Sequence, residues 1–217
     1  MQNLSRQPSS LDRLPDIREL GYIVALFAVL PLLVLYIDGS VKMFILSVQA
    51  HWGVWIAQFV SAAGYGLVNA AIAAALMAAG LVAGRPREKV AGRLGLFAVI
   101  AGGLLVLVLK HLFCRTRPLA EGAGRFFDDF PCLGKGSGLI SFPSGHSVTV
   151  FALAYVLSRA YPKGSVPFYG LAILVALSRV YLARHFLSDV VAGAAVGLFA
   201  GWIVCRLAVL PLGNERN

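Results

Sequence analysis

The sequence predicts an all-α integral membrane protein: a six-helix bundle with an extracytoplasmic loop and one additional interfacial helix. Three observations carry this expectation. Of the 217 residues, 59% are hydrophobic and only 13% charged, whereas soluble domains carry about 25% charged residues. Mean hydropathy is +0.79. The apolar residues also gather into runs near the roughly 20 residues that a helix needs to cross a bilayer.

The elements follow in chain order. Residues 1–19 form a polar amphipathic segment, and the first apolar run, 20–37, ends in Tyr36-Ile37-Asp38-Gly39 without a small-residue cleavage site. It therefore reads as a retained span and not as a cleavable signal. The stretch 41–62 is apolar but carries Lys42, Gln49, His51 and Gln58 among scattered aromatics. That mixture suits an interfacial or re-entrant helix leading into the second span, with a seventh span as the competing reading. Further spans are expected over 64–83, 93–112, 144–161, 166–183 and 187–210. In the last one, Gly193, Gly197 and Gly201 recur every fourth residue. Such spacing marks close helix packing, here favoured within the bundle over a dimer seam. Monomer and homodimer both stay open.

Residues 114–142 form the longest polar connection, rich in glycine (Gly122, Gly124, Gly134, Gly136, Gly138) around Asp128-Asp129. A structureless stretch of that length inside a compact bundle is usually functional, here as a lid or substrate entrance. Cys114 and Cys132 lie in it, while Cys205 falls in the last span. In an oxidising compartment the first two are candidates for a bridge, closing a loop of about eighteen residues at a gain of about 3 kcal/mol. Two unrelated thiols are the alternative. Without a linker or repeat, 1–217 reads as one domain.

Charge distribution sets the orientation. With six spans, both termini and the 84–92 and 159–165 loops share one side, which holds eleven of the 19 Lys and Arg residues against eight opposite. Three of those eight are Lys110, Arg117 and Arg179, which have a chemical use described next. Positive-inside bias then puts the termini, with segment 1–19, in the cytoplasm, and loop 114–142 in the periplasm or outside. A formal net charge of +9 does not signal nucleic acid, because no Lys/Arg run is interleaved with aromatics.

Three short clusters share the outward side: Lys110-x6-Arg117-Pro118, Pro143-Ser144-Gly145-His146, and Ser178-Arg179-x5-His185-x3-Asp189. Between them they supply three cations, two imidazoles and a carboxylate. Phosphoryl transfer needs cations on the phosphate oxygens, a nucleophile and an acid for the leaving oxygen. Lys110 ends an apolar run, and Pro118 turns the chain away soon after Arg117. At the start of the fourth span, Gly145 permits close backbone approach, and helix-start N–H groups beside the Ser144 hydroxyl suit an anion. Asp189 stands four residues after His185, within reach of one ring nitrogen on a helical turn, which leaves the other nitrogen to attack. Arg179 and His185 would point apart on a continuous helix, so a break is expected near 182–184.

Each cluster has a plainer alternative. Lys110 and Arg117 suit lipid headgroups, Ser144 suits an N-cap beside an interfacial histidine, and Asp189 suits an N-cap of the last helix. Together they would require costly ionisable groups to gather by accident at one membrane depth.

These clusters resemble the three signatures of the type 2 phosphatidic acid phosphatase superfamily, whose members include membrane lipid phosphatases and the soluble vanadium haloperoxidases. The resemblance covers roughly 110–189 and leaves 1–63 untouched. It implies a membrane lipid phosphatase in which Lys110, Arg117 and Arg179 hold the phosphate oxygens with Ser144 and the Gly145 N–H. His185 would then form a phosphohistidine, Asp189 would orient it, and His146 would protonate the leaving oxygen. It implies no metal and no other cofactor. The expected partner is a phospholipid or polyprenyl phosphate at the outer leaflet: undecaprenyl diphosphate, phosphatidylglycerophosphate, lipid A 1-phosphate or phosphatidate. His111, Arg115 and Arg184 are candidates for headgroup contacts. A lipid phosphotransferase and a non-catalytic lipid-binding or transport protein are the alternatives, the latter disfavoured by the His185–Asp189 pair.

Overall fold

The computed structural model describes residue 11 and residues 13–128, 130–132 and 140–213, with side chains as far as 209. Asp129, the loop glycines at 134, 136 and 138, and the terminal residues 1–10 and 214–217 lie outside the described residues.

Among the described residues the protein is built of helices, with one isolated bridge between Thr116 and Ile140. Helix α1 (Ile17–Leu32) opens on a capping box: Asp16 accepts from the Arg18 N–H and Glu19 reaches back to the Asp16 N–H, which satisfies donors that a helix start leaves open. A π-helical turn, Leu33–Ile37, then passes the chain to α2 (Asp38–Val48). The three segments form one 32-residue helix, so the first span runs well past its expected end at 37.

The stretch 41–62 is therefore not a single interfacial element. Its first part belongs to α2, and its second is α3 (His51–Ala62), which meets α4 (Gly66–Val82) at a bend of 45°. The break at Gln49-Ala50 has a local cause. The Gln49 amide donates to the Tyr181 carbonyl at 2.7 Å, and the Ala50 N–H donates to the Tyr181 hydroxyl at 3.0 Å, so the far end of α7 draws the backbone out of helix.

Helix α5 (Pro86–Phe113) begins with a proline where no N–H is needed and ends at Cys114, whose φ of 45° is left-handed. Helices α6 (Gly145–Ala160), α7 (Ser165–Tyr181) and α8 (Leu187–Gly213) complete the bundle. By length and composition, four helices can cross a membrane, or five if the bent α3–α4 pair counts as one span. This makes the chain a multi-pass membrane protein. Length and composition do not establish the expected sixth crossing, because α6 has only 16 residues, about 24 Å of rise against a hydrocarbon core of about 30 Å.

Helix α6 instead forms the centre of the bundle, buried along nearly all its length against α5, α7 and α8. The glycine stripe of α8 makes this possible. A Cβ on Gly193 would lie 2.6 Å from the Ser144 carbonyl oxygen, on Gly197 2.3 Å from that of Val148, and on Gly201 2.8 Å from Cβ of Tyr155. The stripe is thus spent on packing within the chain. Its register also sets the N-terminus of α6 beside the first turn of α8.

Candidate active site

Every sequence cluster singled out above lies at one end of the bundle, where α5 and α7 end and α6 and α8 begin. Lys110 sits in the last turn of α5 at 5% exposure, its ammonium donating to the Ile140 carbonyl. Because α5 stops at Phe113, Lys110 and Arg117 do not share a helix. Arg117 stands in the following turn and donates to the Arg184 carbonyl at 3.4 Å. Burial, and then the neighbouring Arg184, lower the pKa of its guanidinium. The loop is fastened where it is described. Cys114 and Cys132 are joined in a disulfide, and Phe113, Phe126 and Phe142 pack edge to face with centroids 5.0 to 6.4 Å apart.

Ser144 is the N-cap residue of α6, yet its side chain makes no capping bond. Its Oγ is buried without a hydrogen-bond partner, as is Nε2 of His146. Buried polar atoms are seldom left so, and an orphaned pair at one site calls for an explanation. An added Cβ at Gly145 would meet no protein atom within 4 Å, so packing does not explain glycine there. The His146 ring rests against Tyr65 at 4.7 Å.

The expected helix break falls between α7 and α8, where Ala183 adopts a left-handed φ of 49°. The Arg184 and His185 N–H groups both turn back to the Arg179 carbonyl, at 3.1 and 3.3 Å. This turn lets Arg179 and His185 serve one site in spite of their spacing. Arg179 donates to Ser61 Oγ at 2.7 Å.

His185 is 3% exposed, and its Nδ1 lies 3.5 Å from Oδ2 of Asp189, facing it but not hydrogen-bonded to it. Burial holds its imidazole down at about 4, against the upward pull of Asp189, with Lys110 and Arg117 adding to the depression. Asp189 is not the N-cap of α8 but its third residue, and its Oδ2 accepts from the Phe186 N–H at 2.8 Å. It therefore steadies the helix start and faces His185 with the same oxygen.

A polar cavity of about 610 Å³ opens here, lined by Ser61, Tyr65, Arg117, His146, Arg179 and Arg184. Lys110 and His185 are buried away from its lining but lie within electrostatic reach of His146, as do Arg117 and Arg179. Of the headgroup candidates, Arg184 is exposed and lines the cavity. His111 does not: its Nδ1 pairs with the Leu107 carbonyl of its own helix at 2.8 Å. Arg115 is a correction. It is 2% exposed and points inward, bonded to Asp38 at 2.8 Å and Asp189 at 2.6 Å, because two buried carboxylates compete for it more strongly than lipid can. Sequence reading missed Asp38, Ser61, Tyr65 and Ser188. Asp38 alone carried a signal, as a carboxylate at the end of an apolar run.

Comparison with known proteins agrees in fold and region. The family model described as PAP2 superfamily matches residues 92–210. A lipid A 1-phosphatase of Rhizobium johnstonii is 36% identical over 114 residues, 52% of this chain and 45% of that protein. Phosphatidylglycerophosphatase B of Bacillus subtilis is 33% identical over 115 residues, 48% of this chain and 56% of that one. The chain thus spans about half the length of the curated relatives it matches. Among solved structures, a transmembrane PAP2-type phosphatidylglycerolphosphate phosphatase of Bacillus subtilis superposes with a TM-score of 0.63 at 24% identity, covering 90% of this chain and 97% of that one.

Proposed function

The chain belongs to the PAP2 superfamily, and on that premise we propose that it is a membrane lipid phosphatase working through a phosphohistidine. The observation that carries the proposal is that Ser144 Oγ, His146 Nε2 and His185 Nδ1, all among the buried side-chain atoms left without a hydrogen-bond partner, gather at one end of the bundle with Lys110, Arg117 and Arg179. Unsatisfied hydrogen-bonding groups surrounded by cations fit a tetrahedral anion.

The roles follow from position. Arg117 and Arg179 take phosphate oxygens from the cavity, with Ser144 Oγ and the Gly145 N–H, where no side chain obstructs. Lys110 joins them by exchanging the Ile140 carbonyl for a phosphate oxygen. His185 is neutral at working pH, and Asp189 faces its Nδ1, so Nε2 carries the lone pair that attacks phosphorus. A P–N bond forms as the bond between phosphorus and the lipid oxygen breaks, and His146 supplies the proton that oxygen needs to leave as an alcohol or phosphate. Water then attacks the phosphohistidine while giving a proton back to His146, the P–N bond breaks with its electron pair returning to Nε2 of His185, and inorganic phosphate departs. Electrostatic preorganisation of this kind is commonly the largest catalytic term.

The substrate class is a phosphomonoester or diphosphate lipid: undecaprenyl diphosphate, phosphatidylglycerophosphate, lipid A 1-phosphate or phosphatidate. The bias of basic residues supports cytoplasmic termini and a site facing the periplasm or exterior of an inner or plasma membrane. In that arrangement the 17–48 helix, α4, α5, α6, α7 and α8 are the six spans, and α3 lies at the outer interface. There Trp52, Trp55 and Phe59 are exposed at 71%, 64% and 84%, as an aromatic belt requires.

The test is phosphate release by the purified chain on a panel of those four lipids. Release from at least one, lost in His185→Ala, is the expected result. No release from any, or release that survives His185→Ala, contradicts the proposal.

A further inference from the structure

Behind the site, buried polar side chains form a continuous path from Asp189 to the first helix. One guanidinium nitrogen of Arg115 donates to Oδ1 of Asp189 at 2.6 Å and to Ser188 Oγ at 2.7 Å. Another donates to Oδ2 of Asp38 at 2.8 Å. Asp38 in turn accepts from the Ser188 N–H at 2.9 Å and from the Ser188 hydroxyl. The flat faces of the guanidinium are covered by Phe186 at 4.1 Å and Phe126 at 4.6 Å. Arg115, Asp38, Ser188 and Asp189 are all at most 3% exposed. The cation is thus locked in plane and shared by two carboxylates.

This arrangement acts on the one soft degree of freedom in the His185–Asp189 pair. The terminal torsion of an aspartate is broad, so its carboxylate can swivel. Arg115 holds one oxygen and the Phe186 N–H holds the other at 2.8 Å, which leaves Oδ2 directed at Nδ1 of His185. Burying three charges for packing alone is costly when apolar side chains would fill the same space. Asp38 also lies well outside the matched region 92–210, on a helix whose most apolar stretch is almost entirely unburied.

We infer that Arg115, held in place by Asp38, is a positioning residue that fixes the Asp189 carboxylate toward His185, so that the first helix sets the geometry of the nucleophile. The inference rests on the proposed chemistry of His185. Arg115 touches no reacting atom and acts only through Asp189.

A double-mutant cycle separates this from a clamp that merely holds the fold. Phosphate release from dioctanoyl phosphatidate and from the other lipids of the panel is measured with the full chain in detergent. Arg115→Gln and Arg115→Lys are each made alone and together with Asp189→Asn. Arg115→Gln is expected to lower kcat about a hundredfold, the scale of a misplaced catalytic group, with KM nearly unchanged. Arg115→Lys, able to reach one carboxylate, should recover part of the loss. In the Asp189→Asn background Arg115→Gln should cost nothing further, because what it positions is already gone. An equal loss in both backgrounds, or an unchanged kcat in an active enzyme, overturns the inference. If Arg115→Gln does not accumulate as folded protein, the near-isosteric Asp38→Asn takes its place in the same cycle, with the same two outcomes deciding. An unaltered chain that releases no phosphate from any lipid of the panel overturns the phosphatase reading itself, and this inference with it.

Discussion

The N–H of Ser144 donates to the carbonyl oxygen of Asp189 at 3.0 Å. This single backbone bond ties Ser144 of the α6 cluster to the last residue of the α7–α8 cluster, 45 positions away in the chain. It forms because Gly193 lets α8 close on α6 immediately below it. The distance between the two imidazole-bearing segments is thereby set by helix packing and not by either loop.

That relationship makes the glycine stripe separable into a functional and a structural part. Gly193→Ala places a methyl 2.6 Å from the Ser144 carbonyl oxygen, so it should push the α6 start away and lower kcat at least tenfold. Gly201→Ala meets Tyr155 Cβ at 2.8 Å, at the far end of the stripe. It should cost about 1–3 kcal/mol of stability through overpacking while the folded fraction keeps its kcat. Thermal unfolding in detergent, read beside kcat, checks both.

Gly145→Ala should do the reverse. No protein atom lies within 4 Å of the added Cβ, and glycine tolerates replacement by alanine at the start of a helix, so folding should be unaffected. A phosphate cradled by the backbone N–H would meet the new methyl. Vanadate is expected to inhibit the wild type and to inhibit this variant roughly tenfold less well, about 1.4 kcal/mol. Equal inhibition would remove Gly145 from the phosphate site.

The ionisation of His185 gives a third test. An ordinary histidine is half protonated near pH 6.5, whereas burial holds this one at about 4. The folded state therefore disfavours the proton: its neutral nucleophile persists to about pH 4, and folding stability declines as pH falls from about 6.5 toward 4. Nitrogen-15 histidine spectra, with the His185 signal assigned by its loss in His185→Ala, should show a midpoint near 4. A midpoint near 6.5 would contradict the buried, neutral imidazole.

Asp189→Asn and Arg179→Ala should divide turnover from binding. The first removes the charge that orients His185, and should abolish most turnover while vanadate still binds. The second removes a cation lining the cavity, and should weaken turnover and vanadate inhibition together.

Much of this arrangement was legible in the chain. The helical class followed from composition and run length, and the helix break at 182–184 followed from the angle between Arg179 and His185. Membrane side alone was enough to bring the three clusters to one end. What escaped was decided by contacts distant in sequence. Nothing near Gln49 announces that Tyr181 will pull it out of helix, and nothing in the 144–161 run announces that α6 would have only 16 residues. Arg115 reads as a headgroup contact because it adjoins Lys110 and Arg117 in sequence. Its true partners, Asp38 and Asp189, are 77 and 74 residues away. Two carboxylates on otherwise apolar elements are a signal that a charge-pairing search could have used.

The central claim is that His185 carries the phosphoryl group, and trapping the intermediate tests it most directly. Purified protein is mixed with a phosphorus-32-labelled lipid substrate, quenched within one turnover in alkali, where phosphohistidine survives, and digested for mass spectrometry. The account predicts label on the peptide containing His185 and none in His185→Ala. Phosphate release with no labelled protein, or with label on His146 or another residue, would contradict it.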